Sequence, residues 1–152
     1  MQRNIESHKS DRSRTIKKVL FNNLESHKKL SSSHRSGTTL RVFFNIMNAW
    51  KLSNERQMKI LGVPRSTFFK WKKQCEGDLS QDTLERISYI FGIYKALQIL
   101  LPDPKAADEW VSKPNNAPLF NGRSALDRML SGQVADLYIV RQYLDSERGG
   151  WA

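Results

Sequence analysis

Cysteine is almost absent from this chain: Cys75 stands alone, so no intrachain disulfide can form and a reducing compartment is expected. Histidine is confined to His8, His27 and His34, leaving no histidine beyond the first 34 positions to assist a nucleophile or hold a metal. No apolar run approaches the roughly 18 residues of a membrane span. The N-terminal stretch carries charge throughout and lacks the apolar core of a secretory signal, so a cytoplasmic protein is expected. Alternating strand patterns, internal repeats and phosphate-cradling glycine loops are missing as well. Asp103, Asp108, Glu109 and Asp127 fall at helix ends or in loops and form no convincing acid–base pair. The expectation is an all-α protein that is not an enzyme and takes no cofactor or metal.

What the chain does have is positive charge, unevenly spread. The net charge is +10 and the pI near 9.9. Residues 1–37 carry nine Lys/Arg against three acids, and residues 38–75 carry eight against one, whereas residues 76–152 carry eight against eleven. A basic front half calls for an anionic partner, nucleic acid above all. The mildly acidic rear half needs a different partner.

The basic front half is organised around Gln57–Gln74, a short helix, a turn at Gly62-Val63-Pro64 and a second helix. Leu61, Val63, Phe68 and Trp71 fall where a helix-turn-helix needs apolar residues to lock its helices. Arg65, Ser66, Thr67, Phe69, Lys70 and Lys73 fall on the outward face and are types that reach base edges and phosphates in a major groove. Gly62 tolerates the positive φ of the turn, and Pro64 suits a helix start because its missing N–H has no partner there anyway. Met58 sits where such pairs usually take a small residue, which implies an altered helix crossing.

Residues 1–37 read as a basic, flexible arm, with a helix from Thr15 to Leu30 and a Ser-rich linker from Ser31 to Gly37. Thr38–Leu52 reads as a helix with Leu40, Phe43, Phe44 and Met47 in an i, i+3, i+4, i+7 stripe. Ser53 caps the next helix, with Glu55 in its first turn. Ser80–Leu101 is a long helix in which Leu84, Ile87, Phe91, Tyr94, Leu97 and Leu101 form the stripe, widened by Ile90, Ile93 and Leu100. Pro102-Asp103-Pro104 stops it. A short helix follows over Ala106–Ser112. Pro114–Gly122 reads as a loop anchored by Leu119 and Phe120. Ser124 caps a helix to Leu130, and Val134–Leu144 is the last helix, with Val134, Leu137, Val140 and Leu144 inward. The tail carries Trp151 after two glycines, a large apolar surface on a flexible tether. It either meets a partner or folds back on its own core.

The run from Trp110 through Pro114-Asn115, Leu119-Phe120-Asn121-Gly122-Arg123-Ser124-Ala125-Leu126-Asp127-Arg128-Met129-Leu130-Ser131-Gly132, Val140-Arg141-Gln142-Tyr143-Leu144 and Arg148-Gly149-Gly150-Trp151-Ala152 resembles the Xre/MbcA/ParS antitoxins, more narrowly those paired with RES-domain toxins. The resemblance covers roughly residues 38–152. It implies an Xre-like helix-turn-helix domain over 38–101 packed on a toxin-binding helical domain over 102–152. It further implies a type II antitoxin that closes the active site of an NAD⁺-degrading toxin and binds double-stranded operator DNA as a homodimer, repressing its own operon. Asn121, Gly122, Arg123, Arg141, Arg148, Gly149, Gly150, Trp151 and Ala152 would then face the toxin. The competing readings are a stand-alone transcriptional regulator that dimerises through its rear half and an RNA-binding protein. The latter lacks aromatic sheet motifs for base stacking.

Overall fold

The computed structural model describes Asn22, Ser32, Ser33 and residues 35–149. Apart from Asn22, the expected Thr15–Leu30 helix lies outside the described residues, as do the histidines and Gly150-Trp151-Ala152. The chain divides into a unit of residues 1–35 and a unit of residues 36–152. In the first, the few described residues are helical. The second contains seven α-helices among its described residues.

Helix α1 (residues 36–49) buries the predicted stripe: Leu40, Phe43, Phe44 and Met47 are all in the core, joined by Ile46 and Trp50. It ends in a Schellman motif. The Leu52 N–H donates to the Met47 carbonyl and the Lys51 N–H to that of Asn48, with Lys51 at φ 56 where glycine is usual. The buried Leu52 then anchors the turn.

Helix α2 (Asn54–Leu61) starts at Ser53, whose hydroxyl accepts from the Arg56 N–H, and stops at Gly62 with φ 66. Helix α3 (Arg65–Gln74) has Pro64 as its N-cap rather than its first helical residue, and the Pro64 carbonyl accepts the Phe68 N–H at 3.0 Å. It ends at Cys75, left-handed at φ 50.

Helix α4 (Gln81–Leu100) runs through the middle of the unit, packing on α2, α5 and most extensively on α7. Its buried line differs from the predicted stripe. Leu84 is 41% exposed, while Ile87, Ile90, Ile93, Ala96 and Leu97 are buried. A helix that is apolar on most sides has no single face that its sequence can nominate, so its neighbours decide.

Helix α5 (Pro104–Glu109) begins two residues before the predicted Ala106, because Pro104 takes the N1 position and Asp103 caps the helix. It tightens into a 3₁₀ turn over Trp110–Ser112. Helix α6 (Ala125–Met129) opens on a capping box. The Asp127 N–H donates to the Ser124 hydroxyl at 3.0 Å and the Ser124 N–H to the Asp127 carboxylate at 3.1 Å. Helix α7 (Val134–Glu147) buries Leu137, Val140 and Leu144 and runs three residues past the predicted end. The Arg148 N–H reaches back to the Leu144 carbonyl, and Arg141 pairs with Asp145 one turn on.

Arg86 joins three of these elements. Its side chain is only 12% exposed. From α4 it donates to the Gly132 carbonyl in the α6–α7 turn at 3.0 Å, to the Ile60 carbonyl near the end of α2 at 3.4 Å and to Asp82 at 2.8 Å. No helix among the described residues is long and apolar enough to cross a membrane.

Candidate functional site

The α2–α3 pair is held from below by Leu61 and Phe68, both fully buried, and by Trp71. Val63 is half-buried, and Met58 is half-buried with its carbonyl accepting the Gly62 N–H at 2.8 Å. The chain leaving α3 crosses the Trp71 indole at Gly77, where a Cβ would lie 2.0 Å from Nε1. Only glycine fits there, so the end of α3 is pinned.

Of the residues predicted to read DNA, Arg65, Ser66, Lys70 and Lys73 are exposed, and Thr67 and Phe69 are half-buried. Among the described residues no carboxylate pairs with Arg65, Lys70 or Lys73, so their charge faces outward uncompensated. Lys72 is different. Its Nζ donates to the Asn54 side chain at 2.6 Å and sits 5.7 Å from the Phe68 ring centroid, tying α3 to the start of α2.

The second surface is built on an aromatic trio. Trp110 stacks on Tyr143 with the rings 18° from parallel, and Phe120 meets both edge-on, at 5.9 and 5.1 Å between centroids. The adjacent Asn121-Gly122 turn is thereby fixed at the surface. Asn121 has φ 50 and Gly122 φ 79, the sign pattern of a type I′ turn, and the Arg123 N–H donates to the Phe120 carbonyl at 2.9 Å. An isolated antiparallel bridge between Pro114 and Ser124 closes the segment. It is therefore the expected loop, closed at its base by that bridge and anchored by the buried Phe120. Its Asn-Gly pair is the sequence signal for such a reversal.

Asn121, Gly122 and Arg123 are exposed at its tip. Asp127, just behind, is held below the ordinary value of 3.8 chiefly by hydrogen bonding with the Ser124 backbone and hydroxyl, which outweighs the opposing desolvation, with smaller help from the charges of Arg123 and Arg56.

Arg141 lies apart from this tip. Its guanidinium rests over Gly92, where a Cβ would come within 2.3 Å, and donates to the Ser88 carbonyl and to Asp145. Arg148 and Gly149 follow the end of α7 and are exposed. The sequence did not reveal Gly92, Arg86 or Lys72 as structural residues, because each acts through a partner distant in the chain.

A basic helix-turn-helix continuous with a helical segment that presents a rigid surface turn defines a class: a two-ended regulator with a DNA-binding head and a protein-binding end. The comparisons place the chain within that class. Residues 29–92 match the antitoxin Xre-like helix-turn-helix domain, and residues 96–150 match the antitoxin Xre/MbcA/ParS C-terminal toxin-binding domain. The chain is 53% identical over 121 residues to "Uncharacterized protein y4oB" of Sinorhizobium fredii (strain NBRC 101917 / NGR234), covering 79% of this chain and 92% of that protein. The chain belongs to the Xre/MbcA/ParS antitoxin family, whose members are non-enzymatic regulators of type II toxin–antitoxin systems.

Proposed function

We propose that this antitoxin neutralises a RES-domain toxin that consumes NAD⁺, and that it represses its own operon by binding the operator as a homodimer. The mechanism on the toxin side is steric: the rear segment occupies the catalytic cleft, so no chemistry is required of this chain. Asn121, Gly122 and Arg123, together with Arg141 and the tail from Arg148 to Ala152, are the proposed contact residues. The observation that carries this reading is the Asn121–Arg123 turn. It is exposed, backbone-rigid and braced by Trp110, Phe120 and Tyr143, and a preorganised surface of this kind loses little entropy on docking.

On the DNA side the support is the outward charge of Arg65, Lys70 and Lys73, which have no carboxylate partner among the described residues. The test is co-expression with the toxin encoded beside its gene, following growth and cellular NAD⁺. Full-length antitoxin preserves both. Removal of residues 149–152 weakens protection while the circular dichroism spectrum stays native. A truncated protein that protects as well as the full chain refutes the plugging role of the tail.

A further inference from the structure

We infer that Phe69 is not a base-contacting residue but a positioning residue that presents the Arg65 guanidinium edge-on to a single guanine in the major groove. This rests on the DNA-binding reading above and deepens it. Arg65 and Phe69 are four residues apart on α3, hence stacked on one face, and a helical side chain leans toward the helix N-terminus. The ring of Phe69 therefore lies under the first turn, and the Arg65 Cζ sits 4.8 Å from its centroid.

The platform is itself held. Phe69 meets Phe68 edge-on at 5.2 Å, Phe68 meets Phe44 at 5.9 Å, and Phe44 meets Phe43 at 5.5 Å. Four rings thus lead from the buried core to the tip of the recognition helix. Phe69 is half-buried, with its ring engaged by the Arg65 guanidinium and by Phe68, which leaves it poorly placed to touch a base.

A guanidinium held over a ring spends none of its five in-plane N–H groups on that contact, so they remain free to donate outward. Two of them match the O6 and N7 acceptors of guanine. Adenine would set its N6 amino donor against one of them, and the pyrimidine edges offer no paired acceptors. A long arginine that is already ordered gives up less rotamer freedom on contact. Arg65 has no carboxylate partner among the described residues to be broken first.

The test uses the full chain and a pool of randomised duplexes of about 30 base pairs, three helical turns. Selected duplexes are then compared with versions in which each guanine is replaced by adenine. The wild type is expected to demand guanine at one position of each half-site, and Arg65→Ala to lose that demand. Phe69→Leu is expected to cut the guanine preference about three- to fivefold at that position only, and Phe69→Tyr to restore it. Ring-current displacement of the Arg65 Nε–Hε resonance in the unliganded wild type is expected too, and needs no variant.

Wild-type preference retained in Phe69→Leu, loss of preference at a different base, or an undisplaced Arg65 resonance overturns the inference while leaving DNA binding intact. A wild type that selects no sequence overturns both the inference and the DNA-binding reading.

Discussion

Replacing Arg86 by alanine should destabilise the whole unit, and by an amount the geometry sets. The guanidinium donates to two backbone carbonyls, Gly132 at 3.0 Å and Ile60 at 3.4 Å, and pairs with Asp82 at 2.8 Å. The Asp82 carboxylate is 55% exposed, so the ion pair contributes under about 1 kcal/mol. The carbonyl bonds matter more. Hydrogen bonds to a charged donor contribute roughly 1.5–3 kcal/mol, and a carbonyl left without one inside the protein costs its desolvation. The 3.4 Å bond is near the limit of useful length, so the Gly132 bond dominates. A loss of about 2–3 kcal/mol follows.

For a unit of residues 36–152, that corresponds to a fall of about 8–12 °C in Tm. The assay is thermal unfolding of the full chain followed by circular dichroism at 222 nm, with Asp82→Ala as the control. Asp82→Ala should cost less than about 4 °C, since it spares both carbonyl bonds. The reasoning fails if Arg86→Ala melts within about 3 °C of wild type, or if Asp82→Ala matches it.

Two further outcomes follow from the same packing. Asp127 has its carboxyl held below 3.8 in the folded state, so it contributes stability that is present above that pH and lost as the pH falls through the folded value. The gap in urea midpoint between wild type and Asp127→Asn should therefore be wide at neutral pH and narrow progressively as the pH is taken below 3.8; an equal gap at neutral and acid pH rules this out. A Cβ at Gly92 would strike the Arg141 guanidinium. The helix-propensity gain of about 1 kcal/mol expected from Gly92→Ala should thus appear in an Arg141→Ala background and be cancelled in the native one. Equal gains in the two backgrounds, measured by denaturant titration, would show that Arg141 does not occupy that space.

Legibility in the sequence tracked how one-sided each element is. Helix α1 was readable because solvent lies on one side and Leu40, Phe43, Phe44 and Met47 on the other. The α2–α3 turn was readable because Gly62 at φ 66 is a local necessity. Helix α4 defeated periodicity because α2, α5 and α7 all pack on it, which promoted Ile90 and Ile93 to the deepest core and left Leu84 outside. The end of α7 was missed because Asp145 reads as a tail residue until Arg141 pairs with it. At the candidate sites, residue type alone identified the exposed cations of α3. It could not separate Lys72, spent on Asn54, from Lys70 and Lys73. Spacing places Phe69 on the outward face, whereas its ring is half-buried against its neighbours.

The boundary between the two matched segments, residues 29–92 and 96–150, falls inside α4. That helix is about 30 Å of uninterrupted backbone, so the unit of residues 36–152 has no seam at that boundary. A chimera grafting another member's operator specificity onto this chain must carry α4 across whole, with the side chains that meet α7. One spliced at residues 93–95 would inherit half a beam, and its new head would be specified by the donor but braced by the host.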